Sequence, residues 1–204
     1  MTIYFLRHGE TALNVARVLQ PANTALSARG AAQASALATR MRSTGLAGIV
    51  SSDLPRAMQT AQAIAHEIGL AVQVCELLQE RSFGDWRGLP HDIMDFNPLL
   101  FAEAPPGGES ALEFASRVAA AFEYITTLRA NMNGPLAVVT HGMVIRQMLT
   151  AHMCLDSCGA MPAHFGNTSV NRVAARAPYR VELLNCTRHL NDDTAHDATS
   201  LSGG

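Results

Sequence analysis

Short unbroken apolar runs alternate along the chain with longer stretches whose apolar residues recur every three or four positions. Ile3–Leu6 reads as a buried strand, too short for most helices, and Ala47–Val50, Ala71–Val74 and Leu136–Thr140 read the same way. Between them, Ala-rich Gly30–Arg42 predicts a helix. So does Leu54–Ile68, where Leu54, Ala57, Ala61, Ile64 and Ile68 share one face. Ser110–Arg129, with Phe114, Val118, Phe122 and Ile125 turned inward, and Met143–Met153 predict two more. Ser169–Ala174 and Tyr179–Leu184 can pair around the Arg176-Ala177-Pro178 turn. Strands alternating with amphipathic helices are the signature of an α/β layered fold.

Two segments depart from this rhythm. Residues 76–109 have weak periodicity, several prolines and a group of aromatics. A long irregular stretch inside a compact domain is usually functional, and it is read here as a lid. From Asn191 the chain runs NDDTAHDATSLSGG, polar and small, which predicts a disordered tail.

The polar residues that end the apolar runs share a character. The first run ends in Arg7-His8-Gly9, the second in Ser51-Ser52-Asp53-Leu54-Pro55-Arg56, and another in Thr140-His141-Gly142. In open α/β sheets, ligands sit beyond the carboxyl ends of the strands. Three ends carrying Arg or His therefore predict one cationic pocket. Ser52 or Asp53 as helix cap, with Pro55 in the first turn, places Arg56 near a helix N-terminus. Free backbone N–H groups and the positive dipole end add to the guanidinium there. His141-Gly142 stands in the same relation to the next helix. Arginine also suits bidentate recognition of phosphate. Taken singly, Arg56 can merely pair with Asp53, and Glu80 beside Arg81 can be a surface ion pair. The coincidence of the strand ends favours the site.

Composition narrows the chemistry. With 204 residues, 48% hydrophobic and 16% charged, the chain is an ordinary globular protein able to bury a sizeable core. A net charge of −2 provides no global basic field for nucleic acid or acidic lipid. All 15 basic residues are Arg, which excludes Schiff-base lysines and P-loops. Arg7 interrupts the N-terminal apolar run before a signal-peptide core can form, and no window approaches the roughly 18 apolar residues of a membrane span. The expectation is a cytoplasmic protein with no membrane partner. Cys75, Cys154, Cys158 and Cys186 form no dense disulfide framework and fit a reduced compartment. Cys154-x-x-x-Cys158, flanked by His152 and His164, lies at the edge of zinc-ligand spacing, and no second compact pair follows. Helix-end packing is the simpler reading, and no metal is assigned.

FLRHGETALN, SSDLPRAMQTA, QERSFGDWRG and VVTHG together resemble the histidine phosphatase superfamily, the phosphoglycerate-mutase-like fold. LSARGAAQA and FGNTSVN are similar to further segments of that family, so the resemblance spans about residues 2–190. It implies a single catalytic domain over residues 1–190, a three-layer α/β/α sandwich around a mainly parallel sheet. It also implies that His8 is a nucleophile forming a phosphohistidine. Arg7, Arg56 and His141 hold phosphate oxygens, Asn14 adds a hydrogen bond, and Gly142 opens the helix beside them. Glu80 matches the proton donor to the leaving oxygen and later activates water. No metal or other cofactor is implied. A Gly-Gly-Glu-Ser segment like that in Pro105–Ser110 borders the family's substrate pocket, making Glu109 a further candidate. These roles make physical sense: two guanidiniums keep a nearby imidazole neutral, and a bound phosphate dianion keeps a nearby carboxyl protonated.

The family also contains mutases, which carry a His-Tyr-Gly segment after the acid and a longer basic insertion. Here Glu80 is followed by Arg-Ser-Phe-Gly-Asp-Trp-Arg-Gly. Residues 91–101 then offer Ile93, Met94, Phe96, Leu99, Leu100 and Phe101 without a basic cluster. The expectation is hydrolysis of a small phosphomonoester with an apolar or ring-bearing leaving group. Mutase-type transfer and a phosphate-binding regulatory module are the alternatives. Arg81, Arg87 and Glu109 are the candidates for substrate choice. Trp86 is expected to pack the lid, and His66, His189 and His196 to lie at the surface.

Overall fold

The computed structural model describes residues 1–155 and 159–191. Cys158, His196 and all but the first residue of the predicted tail lie outside the described residues. In chain order the elements are β1 (Thr2–Arg7), α1 (Ala12–Val15), α2 (Ala28–Met41), β2 (Gly48–Ser51), α3 (Pro55–Ile68) and β3 (Val72–Val74). Then follow α4 (Ala111–Ala130), β4 (Leu136–Thr140), α5 (Gly142–His152), β5 (Val170–Ala174) and β6 (Val181–Cys186). The strands form one sheet in the order β3-β2-β4-β1-β5-β6. β3, β2, β4 and β1 run parallel, while β5 and β6 add antiparallel at one side.

Both faces of the sheet are covered, the arrangement that parallel strands require. Ile3 and Phe5 of β1, with Leu136 and Val138 of β4, pack against Val118, Phe122 and Ile125 of α4 and Ile145 and Met148 of α5. Leu6, Ala137 and Val139 turn the other way, onto Leu37 and Met41 of α2 and Ala61 and Ile64 of α3. The period-two alternation of the strands thus splits the core into two layers. Each fully buried Leu, Ile or Phe contributes roughly 1.5–3 kcal/mol of burial free energy. The result is the mainly parallel α/β/α sandwich.

The expected helices and strands are present with shifts of one or two residues at their ends. Residues 76–109 contain four short 3₁₀ helices and no α-helix or strand. The start of α3 differs from expectation. Leu54, not Ser52 or Asp53, is its N-cap, with no side-chain cap hydrogen bond. Pro55 disfavours helical geometry in the residue before it, so Leu54 stays extended at φ −63°, ψ 134°. At α4, Ser110 is the cap, in a capping box with Glu113. No described helix is long and apolar enough to cross a membrane.

Parallel registry brings the polar strand ends together. Arg7 lies opposite Thr140, and Ser51 opposite Val139, so the residues that follow β1, β2 and β4 emerge side by side. Helix α2 supports the first of these loops from beneath. A Cβ at Gly30 would stand 2.0 Å from the Glu10 carbonyl oxygen, and one at Gly9 would stand 2.5 Å from that of Gly30. The two backbones touch because neither residue has a side chain. Gly30→Ala is therefore expected to lower stability by roughly 1–3 kcal/mol. Urea unfolding should show a lower midpoint at unchanged slope; an unchanged midpoint would contradict the contact.

Candidate active site

His8 leaves β1 with its backbone held on both sides. Its N–H donates to the Thr140 carbonyl (3.0 Å), and its carbonyl accepts from the Thr168 N–H and the Asn167 side-chain amide, each at 3.2 Å. The ring is 2% exposed. His8 Nδ1 lies 2.7 Å from the Gly9 carbonyl oxygen. A carbonyl can only accept, so the proton resides on Nδ1 and Nε2 keeps its lone pair. Burial, then the charges of Arg56 and Arg7, hold the imidazole well below its ordinary pKa. His8 is thus a neutral base with a defined tautomer, lining an open cleft of about 560 Å³.

Two guanidiniums sit with it on that cleft. Arg7, the last residue of β1, is buried and donates to the Phe165 carbonyl. Arg56, in the first turn of α3, is 2% exposed, and its Nε has no protein partner. Burial lowers its pKa to about 10, so it remains charged at neutral pH. Thr60, one turn along α3, links it to the loop after β1, donating to the Arg56 carbonyl (2.8 Å) and accepting the Gly9 N–H (3.0 Å).

His141, the N-cap of α5, stands with its ring centroid 5.1 Å from that of His8. Its Nε2 lies 3.0 Å from the Ser52 hydroxyl. That hydroxyl already accepts the Leu54 N–H, and His141 Nε2 is the acceptor within reach of its own hydrogen. The His141 proton is therefore on Nδ1, a buried donor without a protein partner. Burial, Arg56 and His8 hold this imidazole neutral too. A buried unpaired N–H is costly, and an anionic oxygen from a ligand would satisfy it.

Glu80 closes the cleft from the lid side. Its carboxylate accepts the Arg81 N–H (3.0 Å) and, from the first turn of α5, the Met143 N–H (3.2 Å). Burial nevertheless raises its pKa, outweighing these bonds and the charges of Arg56 and Arg117. Asn14 and Gly142 also line the cleft. Asn14 closes a capping box with Thr11 in the single turn α1, which periodicity does not reveal.

Glu109 is not part of this constellation. Its two carboxylate oxygens each lie 2.7 Å from Arg117 nitrogens, one of them also accepts the Ser82 N–H, and the residue does not line the cleft. It ties the lid to α4. Arg81 lines the cleft, but its guanidinium donates to the carbonyls of Glu103 and Glu109. Trp86 packs within the lid against Phe96 and Phe101, at centroid distances of 5.3 and 5.1 Å. His152 stacks on Phe122. Among the described residues no group of three or more His, Cys, Asp or Glu is placed to hold a metal ion.

A neutral imidazole with a free lone pair, two buried guanidiniums and a high-pKa carboxyl form a set that can hold and attack a phosphate. Residues 3–187 match the model of the histidine phosphatase superfamily (branch 1). The chain belongs to that superfamily. It is 32% identical over 183 residues to a probable phosphoglycerate mutase GpmB of Yersinia pestis (strain Pestoides F), covering 85% of this chain and 84% of the relative. Among solved structures it resembles the mycobacterial glucosyl-3-phosphoglycerate phosphatase Rv2419c in complex with VO3, with 30% identity and a TM-score of 0.77. That match covers 91% of this chain and 99% of the other. YhfR of Bacillus stearothermophilus is 28% identical with a TM-score of 0.79, over 93% and 99% of the two chains. The protein is a histidine-phosphatase-type hydrolase acting on small phosphate compounds.

The tasks of several supporting residues are not legible in periodicity or strand-end position. Ser52 orients His141. Arg117 of α4 donates to the carbonyls of Leu77 and Gln79 (2.9 and 2.8 Å), holding the segment that carries Glu80. Asn167 and Thr168 belong to FGNTSVN, which only the family resemblance singles out. His189 departs from the surface expectation. It is half-buried, takes a hydrogen bond at Nδ1 from Arg40 and lies 3.0 Å from the Thr168 hydroxyl through Nε2. Burial and Arg40 push its pKa down to about 4. His66 is exposed, as expected.

Nitrogen NMR of labelled protein at pH 6 should find His8 neutral with Nδ1 protonated and Nε2 bare. A protonated Nε2, or a His8 imidazolium at that pH, would contradict the tautomer set by Gly9.

Proposed function

We propose that the protein hydrolyses a small phosphomonoester in two steps through a phosphohistidine on His8. The observation that carries this reading is the His8 tautomer: Nδ1 is committed to Gly9, and Nε2 carries a lone pair beside two buried guanidiniums. In the first step Nε2 attacks phosphorus, the bond to the ester oxygen breaks, and Glu80 transfers its proton to that oxygen. Arg7, Arg56 and the Nδ1–H of His141 neutralise the phosphoryl oxygens, with Asn14 and Gly142 beside them. In the second step the Glu80 carboxylate takes a proton from water. The water oxygen attacks phosphorus, the N–P bond breaks, and His8 is regenerated neutral. Phosphoryl transfer depends mainly on positioning and charge stabilisation, which fixed guanidiniums and a helix N-terminus supply.

The GpmB relatives support a second reading, mutase-type transfer of the same phosphoryl group to a second hydroxyl. Residues 91–101 carry no basic cluster to hold a bisphosphate, which favours water as acceptor. Adding 2,3-bisphosphoglycerate and measuring interconversion of phosphoglycerates separates the two.

Phosphate release from aryl phosphates should persist in chelator and vanish in His8→Ala. Glu80→Gln should cut kcat by roughly 10²–10⁴-fold, the usual weight of a general acid. Turnover by His8→Ala equal to wild type would overturn the reading. The pH profile of kcat/KM should be bell-shaped. Lowering pH removes activity only as His8 protonates, below its ordinary pKa because that pKa is depressed. Raising pH removes it as Glu80 loses its proton, above the ordinary carboxyl range because its pKa is raised. An acid limb centred at or above pH 6.5 would contradict the buried neutral imidazole.

A further inference from the structure

Four guanidiniums line the cleft, and three have evident tasks. Arg7 and Arg56 flank His8, and Arg81 is spent on lid carbonyls. Arg87 differs. It is half-buried in the cleft wall, yet its guanidinium forms no hydrogen bond or ion pair with any described residue. Acidic side chains do pair elsewhere: Arg17 with Asp92, Arg42 with Glu67, Arg117 with Glu109 and Arg172 with Glu182.

The backbone that carries Arg87 is held in place. Its N–H donates to the Gly84 carbonyl, Gly88 N–H donates to the Leu19 carbonyl (2.7 Å), and Leu19 N–H donates to that of Leu89 (3.0 Å). Gly84 itself, at φ +51°, sits so close beneath Pro106 that a Cβ would stand 1.9 Å from the Pro106 carbonyl oxygen. Arg87 therefore presents its charge from a braced turn, not a loose loop. It lies near enough to Arg56 for its charge to be felt there, lowering the Arg56 pKa. The cleft lining also includes apolar Leu19, Leu54, Phe83, Leu99 and Met143.

We propose that Arg87 is a specificity-determining residue that binds a carboxylate on the leaving group of the substrate. This rests on the phosphomonoesterase reading, which puts the scissile phosphate at His8. A guanidinium offers two parallel N–H donors that match a carboxylate. A second phosphate dianion would meet only this one uncommitted cation. The substrate class is a phosphomonoester with a compact apolar or ring body and a carboxylate at its far side. Like-charge repulsion between Arg87 and Arg56 is relieved when both ends of such a molecule are bound.

The test uses three matched esters, phenyl phosphate and its 3- and 4-carboxyphenyl counterparts. The wild type should prefer a carboxylated ester by about tenfold in kcat/KM, the size of one charge-assisted hydrogen-bonded contact, and mainly through KM. In Arg87→Gln the ratio of carboxylated to plain ester should fall to near one, and Arg87→Lys should retain part of it. A wild-type ratio near one, or a ratio that survives Arg87→Gln, overturns the proposal. Calorimetric binding of the same esters to His8→Ala, with and without Arg87→Gln, needs no turnover. A preference there that depends on Arg87, in a wild type without turnover, would sink the catalytic reading and leave the carboxylate site standing. Turnover with no preference would do the reverse.

Discussion

The arrangement turns on concentrating positive charge where three strands end. Arg7 and Arg56 are both buried beside His8 and His141. Unit charges a few ångströms apart at a protein surface interact with about 4 kcal/mol, and water relieves less of this in the interior. The cluster cannot hold four protonated groups. The imidazoles yield, staying neutral, and each is locked by one hydrogen bond that decides which nitrogen carries the proton. Gly9 sets the tautomer of His8 and Ser52 that of His141. Electrostatics and hydrogen bonding thus leave the two imidazoles with one bare lone pair and one unpaired N–H between them.

Holding such a cluster places demands on distant segments. The His8 carbonyl is gripped by Asn167 and Thr168, and Thr168 is braced by His189 and Arg40. Thr60 ties α3 to Gly9, and Gly30 lets α2 approach the same loop. On the other side, Arg117 connects α4 to the segment bearing Glu80 and, through Glu109, to the return of the lid. A residue that looked like a pocket candidate is thereby a strut. Its carboxylate is held by a guanidinium and a backbone N–H, away from the cleft lining.

The fold class was legible because each strand and helix carries its own period. Ile3, Phe5 and Leu6 alternate faces, and Phe114, Val118, Phe122 and Ile125 follow a helical stripe. Boundaries moved where local stereochemistry outweighed pattern, as at Leu54 ahead of Pro55. The cationic character of the strand ends was equally legible, since Arg7, His8, Arg56 and His141 are poor core residues at the ends of apolar runs. His189 was not, because it sits in a polar stretch whose composition resembles surface.

By itself, the sequence determined the layered α/β architecture, the convergence of arginine and histidine at the carboxyl edge of the sheet, and the family to which those motifs belong. These follow from local periodicity and chemical type, which each residue carries wherever it is placed. Only the tertiary structure decided which nitrogens bear protons, that Glu109 is paired with Arg117, and that Arg87 lines the cleft without a hydrogen bond or ion pair from its guanidinium to any described residue. Those outcomes depend on which donors and acceptors, far apart in the chain, come within 3 Å or so of one another. Hydrogen-bond partners and charge pairing are properties of distance, and distance exists only once the chain has folded.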